Sequence, residues 1–101
     1  MQQNGLIEQI LDLAPGRSYL LRLLAEECGE LTQAALKLVR ARIPGETPVR
    51  EPEARDRLAE EVADVWLMIQ LVIAAEDLEN TIPEATRKAR RMLARLKEAR
   101  R

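Results

Sequence analysis

Two short acidic strings carry the chemistry this sequence can offer: Glu26-Glu27-Cys28-Gly29-Glu30 and Glu60-Glu61-Val62-Ala63-Asp64. Each holds two acids three residues apart, Glu27 with Glu30 and Glu61 with Asp64. On an α-helix successive residues turn by about 100°, so acids at this spacing lie about 60° apart, on one side of the helix. Four carboxylates brought together make an all-oxygen ligand set. Such a set suits Mg²⁺, or Mn²⁺ in its place, and disfavours zinc. The sequence contains no His, which removes His-containing zinc sites and His-based triads, and Cys28 is the only cysteine.

The elements that must position these acids read as four helices in one domain of 101 residues. The first runs from about Leu6 to Leu13 with Asn4 as its cap, and Pro15-Gly16 ends it. The second, capped by Ser18, runs to about Ala41. A Pro-rich loop with Pro44, Gly45 and Pro48 follows, and the third helix spans about Glu53 to Asp77. Asn80, Thr81 and Pro83 mark the last turn, with Pro83 in the first position of a fourth helix that runs close to the C-terminus. No strand pattern is present.

On the second helix Leu20, Leu23, Leu24, Leu31, Ala34 and Leu38 form an apolar stripe, and Glu27 lies near its middle. On the third, Leu58, Val62, Val65, Met68, Ile69 and Val72 form the stripe. Glu61 falls within it and Asp64 on its border, while Glu26 and Glu60 point further out. Ionised carboxylates are rarely buried without partners, so cations or protons must neutralise this group. No Lys or Arg falls in either stripe, and on the fourth helix Lys88 and Arg90 only flank the apolar face of Ile82, Ala85, Ala89, Met92, Leu93 and Leu96. A divalent cation is therefore expected. Otherwise the acids line a groove edge, hydrated or paired with bases of another subunit.

Composition narrows the partners. A net charge of −1 indicates neither a general nucleic-acid binder nor a membrane-surface protein. The charge is unevenly placed, with eight Lys or Arg against Glu84 and Glu98 from Thr81 onward, and the rest correspondingly acidic. A hydrophobic fraction of 47%, almost all aliphatic, is high for so short a chain and indicates subunits that pack together. The longest apolar stretch, Val65 to Ala75, is too short to span a bilayer. The opening MQQNGLIEQI has no basic region before a long apolar run, so it is not read as a signal peptide. With a single cysteine, a reduced cytoplasmic setting fits best. Cys28 faces away from Glu27 and reads as a small packing residue.

The two motifs, with the wider strings LLAEECGELTQAALK and LAEEVADVWLMIQLV, resemble the MazG-like all-α nucleoside triphosphate pyrophosphohydrolases from about Tyr19 to Arg91. The resemblance implies a four-helix-type bundle whose core is completed in dimers or tetramers, with tetramers favoured. It implies Mg²⁺ held by Glu27, Glu30, Glu61 and Asp64, and cleavage between the α- and β-phosphates to give a monophosphate and pyrophosphate. Glu26 or Glu27 is then the candidate base that takes a proton from the attacking water. Lys88, Arg87 and Arg91 are candidates for holding the outer phosphates. Trp66 and Tyr19 are the only rings that could stack on a base, though Trp66 projects about 100° from its stripe and also suits a subunit interface. Two features depart from the family pattern. The Arg42–Pro52 loop lengthens the segment between the motifs, and no Asn follows Lys88 in the last helix. Related substrates, phosphoribosyl-ATP or dUTP, compete with a pool-cleaning role. The reading from another class is a helical interaction module with a basic C-terminal helix.

Overall fold

The computed structural model describes residues 3–100, and side chains from Gly5 onward. Four helices, α1 (Gln3–Leu13), α2 (Arg17–Ala41), α3 (Glu51–Glu76) and α4 (Thr81–Ala99), make up an all-α chain without strands among the described residues. No helix is long and apolar enough to cross a membrane.

The helix starts differ from the sequence expectation for local reasons. α1 already includes Asn4, so that residue is not its cap, and its side chain lies outside the described residues. α2 starts at Arg17, one residue before Ser18, because Gly16 takes the capping position at φ 148°, a conformation open to glycine alone. α3 starts at Glu51, two residues early. Pro52 is tolerated in a first turn, where backbone N–H groups lack intrahelical partners, and Glu51 and Glu53 favour the positive end of the helix dipole. α4 begins at Thr81 after Asn80, so Pro83 stands third rather than first.

α2 and α3 form an antiparallel hairpin, pinned at both ends. Arg42 Nε donates to Glu51 Oε1 at 2.9 Å beside the loop, and Arg17 Nε lies 3.8 Å from Glu76 Oε2 at the far end. The seam between them follows alternating steps of four and three residues. On α2 it runs through Leu20, Leu24, Glu27, Leu31, Ala34 and Leu38, and on α3 through Ala54, Leu58, Glu61, Val65, Met68 and Val72, all buried or half-buried. This spacing, 3.5 residues on average, is that of helices packed nearly side by side. It also explains the one misplaced stripe residue, Val62, which steps off the seam and is 50% exposed. α1 closes one end of the hairpin, where Ile7, Leu11 and Ala14 pack on Leu20, Met68, Leu71 and Val72.

α4 stands apart. Every side chain from Ile82 to Arg100 is exposed, including Ile82, Met92, Leu93 and Leu96 of its apolar face. The radius of gyration is accordingly 17.3 Å, against about 13 Å for a compact chain of this length.

Candidate functional site

The seam positions of Glu27 and Glu61 place two acids where a helix pair normally holds Leu or Val. Glu61 is 4% exposed, and Glu27 is half-buried. Asp64, one turn after Glu61, joins them from the exposed flank. Glu27, Glu61 and Asp64 each present one oxygen, and all three oxygens lie within 4.8 Å of one another. Glu30 is exposed and offers no oxygen to this set, but it is close enough for its charge to act on both buried acids.

Neither of the two seam acids is fully satisfied. Glu27 Oε2 and Glu61 Oε2 are shielded from solvent with no hydrogen-bond partner. Burial raises the pKa of Glu27 above its ordinary 4.5, and the charges of Glu30, Asp64 and Glu61 raise it further. Burial likewise raises Glu61, with Glu30 adding to the effect and the Arg57 guanidinium opposing it. Three converging carboxylates, two of them with an orphaned shielded oxygen and none accompanied by sulfur or imidazole, fit a hard divalent cation with oxygen ligands at about 2.0–2.6 Å.

Protons can do the same neutralising work, and this gives a sign to the pH dependence. Both acids hold their protons more tightly folded than unfolded. Between 4.5 and their raised values the folded chain therefore binds more protons than the unfolded one. Stability is full below 4.5 and is lost as pH rises through the raised values. Melting temperatures in EDTA should fall from pH 4.5 towards neutrality, and Glu27→Gln with Glu61→Gln should flatten that fall. A curve that rises over this interval in the wild type would show that the two acids are not strained.

The remaining candidates lie elsewhere. Glu26 is exposed and outside the converging set. Trp66 is 55% exposed on α3, as its angle from the stripe predicts. Lys88, Arg87 and Arg91 are carried on α4, and Arg87 is engaged by Glu84, with Nη2 at 2.8 Å from Oε2. Lys88 lines an open cleft of about 610 Å³ at the α3–α4 elbow with Asp77, Glu79 and Glu84, away from the acids. Cys28 is exposed rather than packed. One participant was missed. Arg57, off the seam, reaches Glu61 with Nε at 3.4 Å from Oε1. Its position four residues before Glu61 was the available signal, since a long basic side chain spans one helical turn to an acid.

No protein-family model, curated protein or solved structure matches the chain.

Proposed function

We propose that the chain is a Mg²⁺-dependent nucleoside triphosphate pyrophosphohydrolase that acts as a homo-oligomer. The observation that carries this reading is the pair of shielded, unpartnered oxygens, Glu27 Oε2 and Glu61 Oε2, on a seam otherwise built of aliphatic residues. A helix pair needing only stability would place Leu at both positions, because unpaired buried acids are costly. The MazG-like resemblance of the two motifs supplies the reaction.

In that reading Glu27 and Glu61 hold the cation from the seam, Asp64 from the exposed flank beside them, and Glu30 from the edge after a side-chain turn. Mn²⁺ can substitute. When bound, Mg²⁺ supplies positive charge that offsets the triphosphate and the charge developing at the reacting phosphorus. Water attacks the α-phosphorus, a new P–O bond forms, and the bond to the β-phosphate oxygen breaks to release pyrophosphate. Glu27 is the better placed of the two candidate bases. It belongs to the converging group, whereas Glu26 lies outside it. Lys88, Arg87 and Arg91 remain the phosphate-holding candidates from α4. Trp66 is reserved for stacking on a base or for subunit packing.

The oligomer is supported by the exposed apolar faces of α4 and of α3 at Trp66. Charge supports it as well: eight bases against two acids from Thr81 onward complement eight bases against fifteen acids elsewhere. The same α4 surface favours the second reading, a non-enzymatic module that offers basic residues to an acidic partner. Incubation with Mg²⁺ and a panel of ribo-, deoxy- and modified nucleoside triphosphates, with dUTP and phosphoribosyl-ATP included, separates the two. EDTA-sensitive release of pyrophosphate with the matching monophosphate is expected. No turnover of any substrate, together with no Mg²⁺-dependent rise in melting temperature, would leave the interaction module.

A further inference from the structure

Arg57 is the one base that an ion pair joins to the four acids among the described residues. Its Nε lies 3.4 Å from Glu61 Oε1, and its Nη1 lies 3.9 Å from Glu60 Oε2. The two partners differ sharply in environment, with the Glu61 side chain 5% exposed and that of Arg57 61% exposed. A guanidinium from the solvent side thus leans over the rim of the hairpin onto a shielded carboxylate. The other oxygen of that carboxylate has no partner.

We propose that Arg57 is an exchangeable counter-ion, holding Glu61 while no cation is bound and turning to the phosphate oxygens of a polyphosphate once a divalent cation takes Glu61. The inference rests on the metal-dependent reading above. Three features of the pair support it. At 3.4 Å the contact is longer than the 2.7–2.9 Å typical of a charge-assisted hydrogen bond, and it is made through Nε rather than through the two-pronged fork that guanidinium offers carboxylates. Much of the guanidinium's donor capacity, which matches the geometry of phosphate, is therefore unspent. Because the side chain is mostly in water, it can leave Glu61 with little desolvation.

The charge balance points the same way. Four acids outweigh one Mg²⁺, so the loaded cluster would still repel an anionic triphosphate. A base on the same rim, released by cation binding, relieves that repulsion when substrate arrives. Arg57 and the cation then compete for the charge of one carboxylate, which sets the sign of the test. A residue that merely supported the site would strengthen cation binding, whereas a competitor weakens it.

The test uses the full chain, Mn²⁺ alone as the first probe, and an α,β-methylene nucleoside triphosphate with Mg²⁺ as the second. Arg57→Gln should bind Mn²⁺ about three- to tenfold more tightly than wild type, as expected for removal of a partly exposed ion pair. It should bind the Mg²⁺ analogue complex about tenfold more weakly, having lost a charge-assisted phosphate contact. Arg57→Lys should match wild type for Mn²⁺ and fall between the two for the analogue, and circular-dichroism melts check that both variants fold. Mn²⁺ binding that Arg57→Gln leaves unchanged or weakens overturns the exchange while sparing the metal site. Absence of Mn²⁺ binding in wild type and both variants overturns the metal reading and the exchange together.

Discussion

Replacing Glu61 by Gln should abolish pyrophosphate release while raising the melting temperature of the metal-free protein. The two effects have one cause. Glu61 occupies a seam position at 4% exposure, with one oxygen in a loose pair with Arg57 and the other without a partner. The folded chain without cation carries that ionised group at a cost, and Gln removes the charge while keeping the shape. If Glu61 holds the proposed cation, its loss removes several kcal/mol of charge stabilisation at the transition state, so activity should fall by about 10³-fold or more. Glu61→Ala should be equally inactive and still folded. Steady-state kinetics and thermal melts in EDTA check the pair of outcomes. Retained turnover would show that Glu61 does not hold the cation. Loss of activity with a lower melting temperature would make it an ordinary structural residue.

The second large effect concerns α4. If the chain assembles as proposed, Leu93→Asp with Leu96→Asp should convert the assembly to species approaching the 11.5 kDa chain, with helix content retained. Leu93 and Leu96 are 52% and 59% exposed, so the fold of the single chain gains little from them. In an assembly they would be covered. Burying a Leu side chain contributes roughly 1.5–3 kcal/mol. A twofold contact uses each patch twice, so two substitutions per chain should weaken association by about 10⁴-fold or more. Sedimentation velocity reads the result directly. A wild type that sediments as a monomer would remove the basis for oligomerisation, and an unchanged assembly in the variant would place the interface away from α4. Because α4 is basic and the rest acidic, added salt should also weaken the assembly.

Periodicity made most of the all-α fold legible. Apart from Leu23, the stripe on α2 from Leu20 to Leu38 lies on the seam, and it marks Glu27 as inward-facing. The α3 stripe was read with an average helical turn, which admitted Val62. The tighter 3.5-residue repeat of two long packed helices excludes it. Glu61 survived either choice because it lies on both. Helix starts were less legible, since Ser18, Pro83 and Asn4 are good signals that compete with neighbours, and at α2 Gly16 prevailed by conformation rather than by side chain. Asp64 was legible from its place at the stripe border, one turn from Glu61. Arg57 illustrates the harder limit: it lies off the seam and reaches Glu61 through a long side chain, and a pattern of buried positions does not rank it. The position of α4 relative to the acids was beyond the pattern altogether. An amphipathic helix declares that it has a partner without saying where.

α3 ends at Asp77, a residue in the left-handed conformation (φ 55°, ψ 46°), where the Leu78 N–H closes the turn on Ile73 at 3.1 Å. From Thr81 the chain is helical for 19 residues, about 28 Å of helix. The elbow is therefore the fulcrum of a lever. A rotation of about 10° there would swing the far end of the arm by about 5 Å, as much as a full helical turn. Aspartate tolerates this backbone better than most side chains, and glycine tolerates it along with many alternatives. The backbone conformation at residue 77, with the three residues that follow it, thus sets where every base on the arm arrives, and a change of residue there could redraw the reach of the molecule without touching either helix.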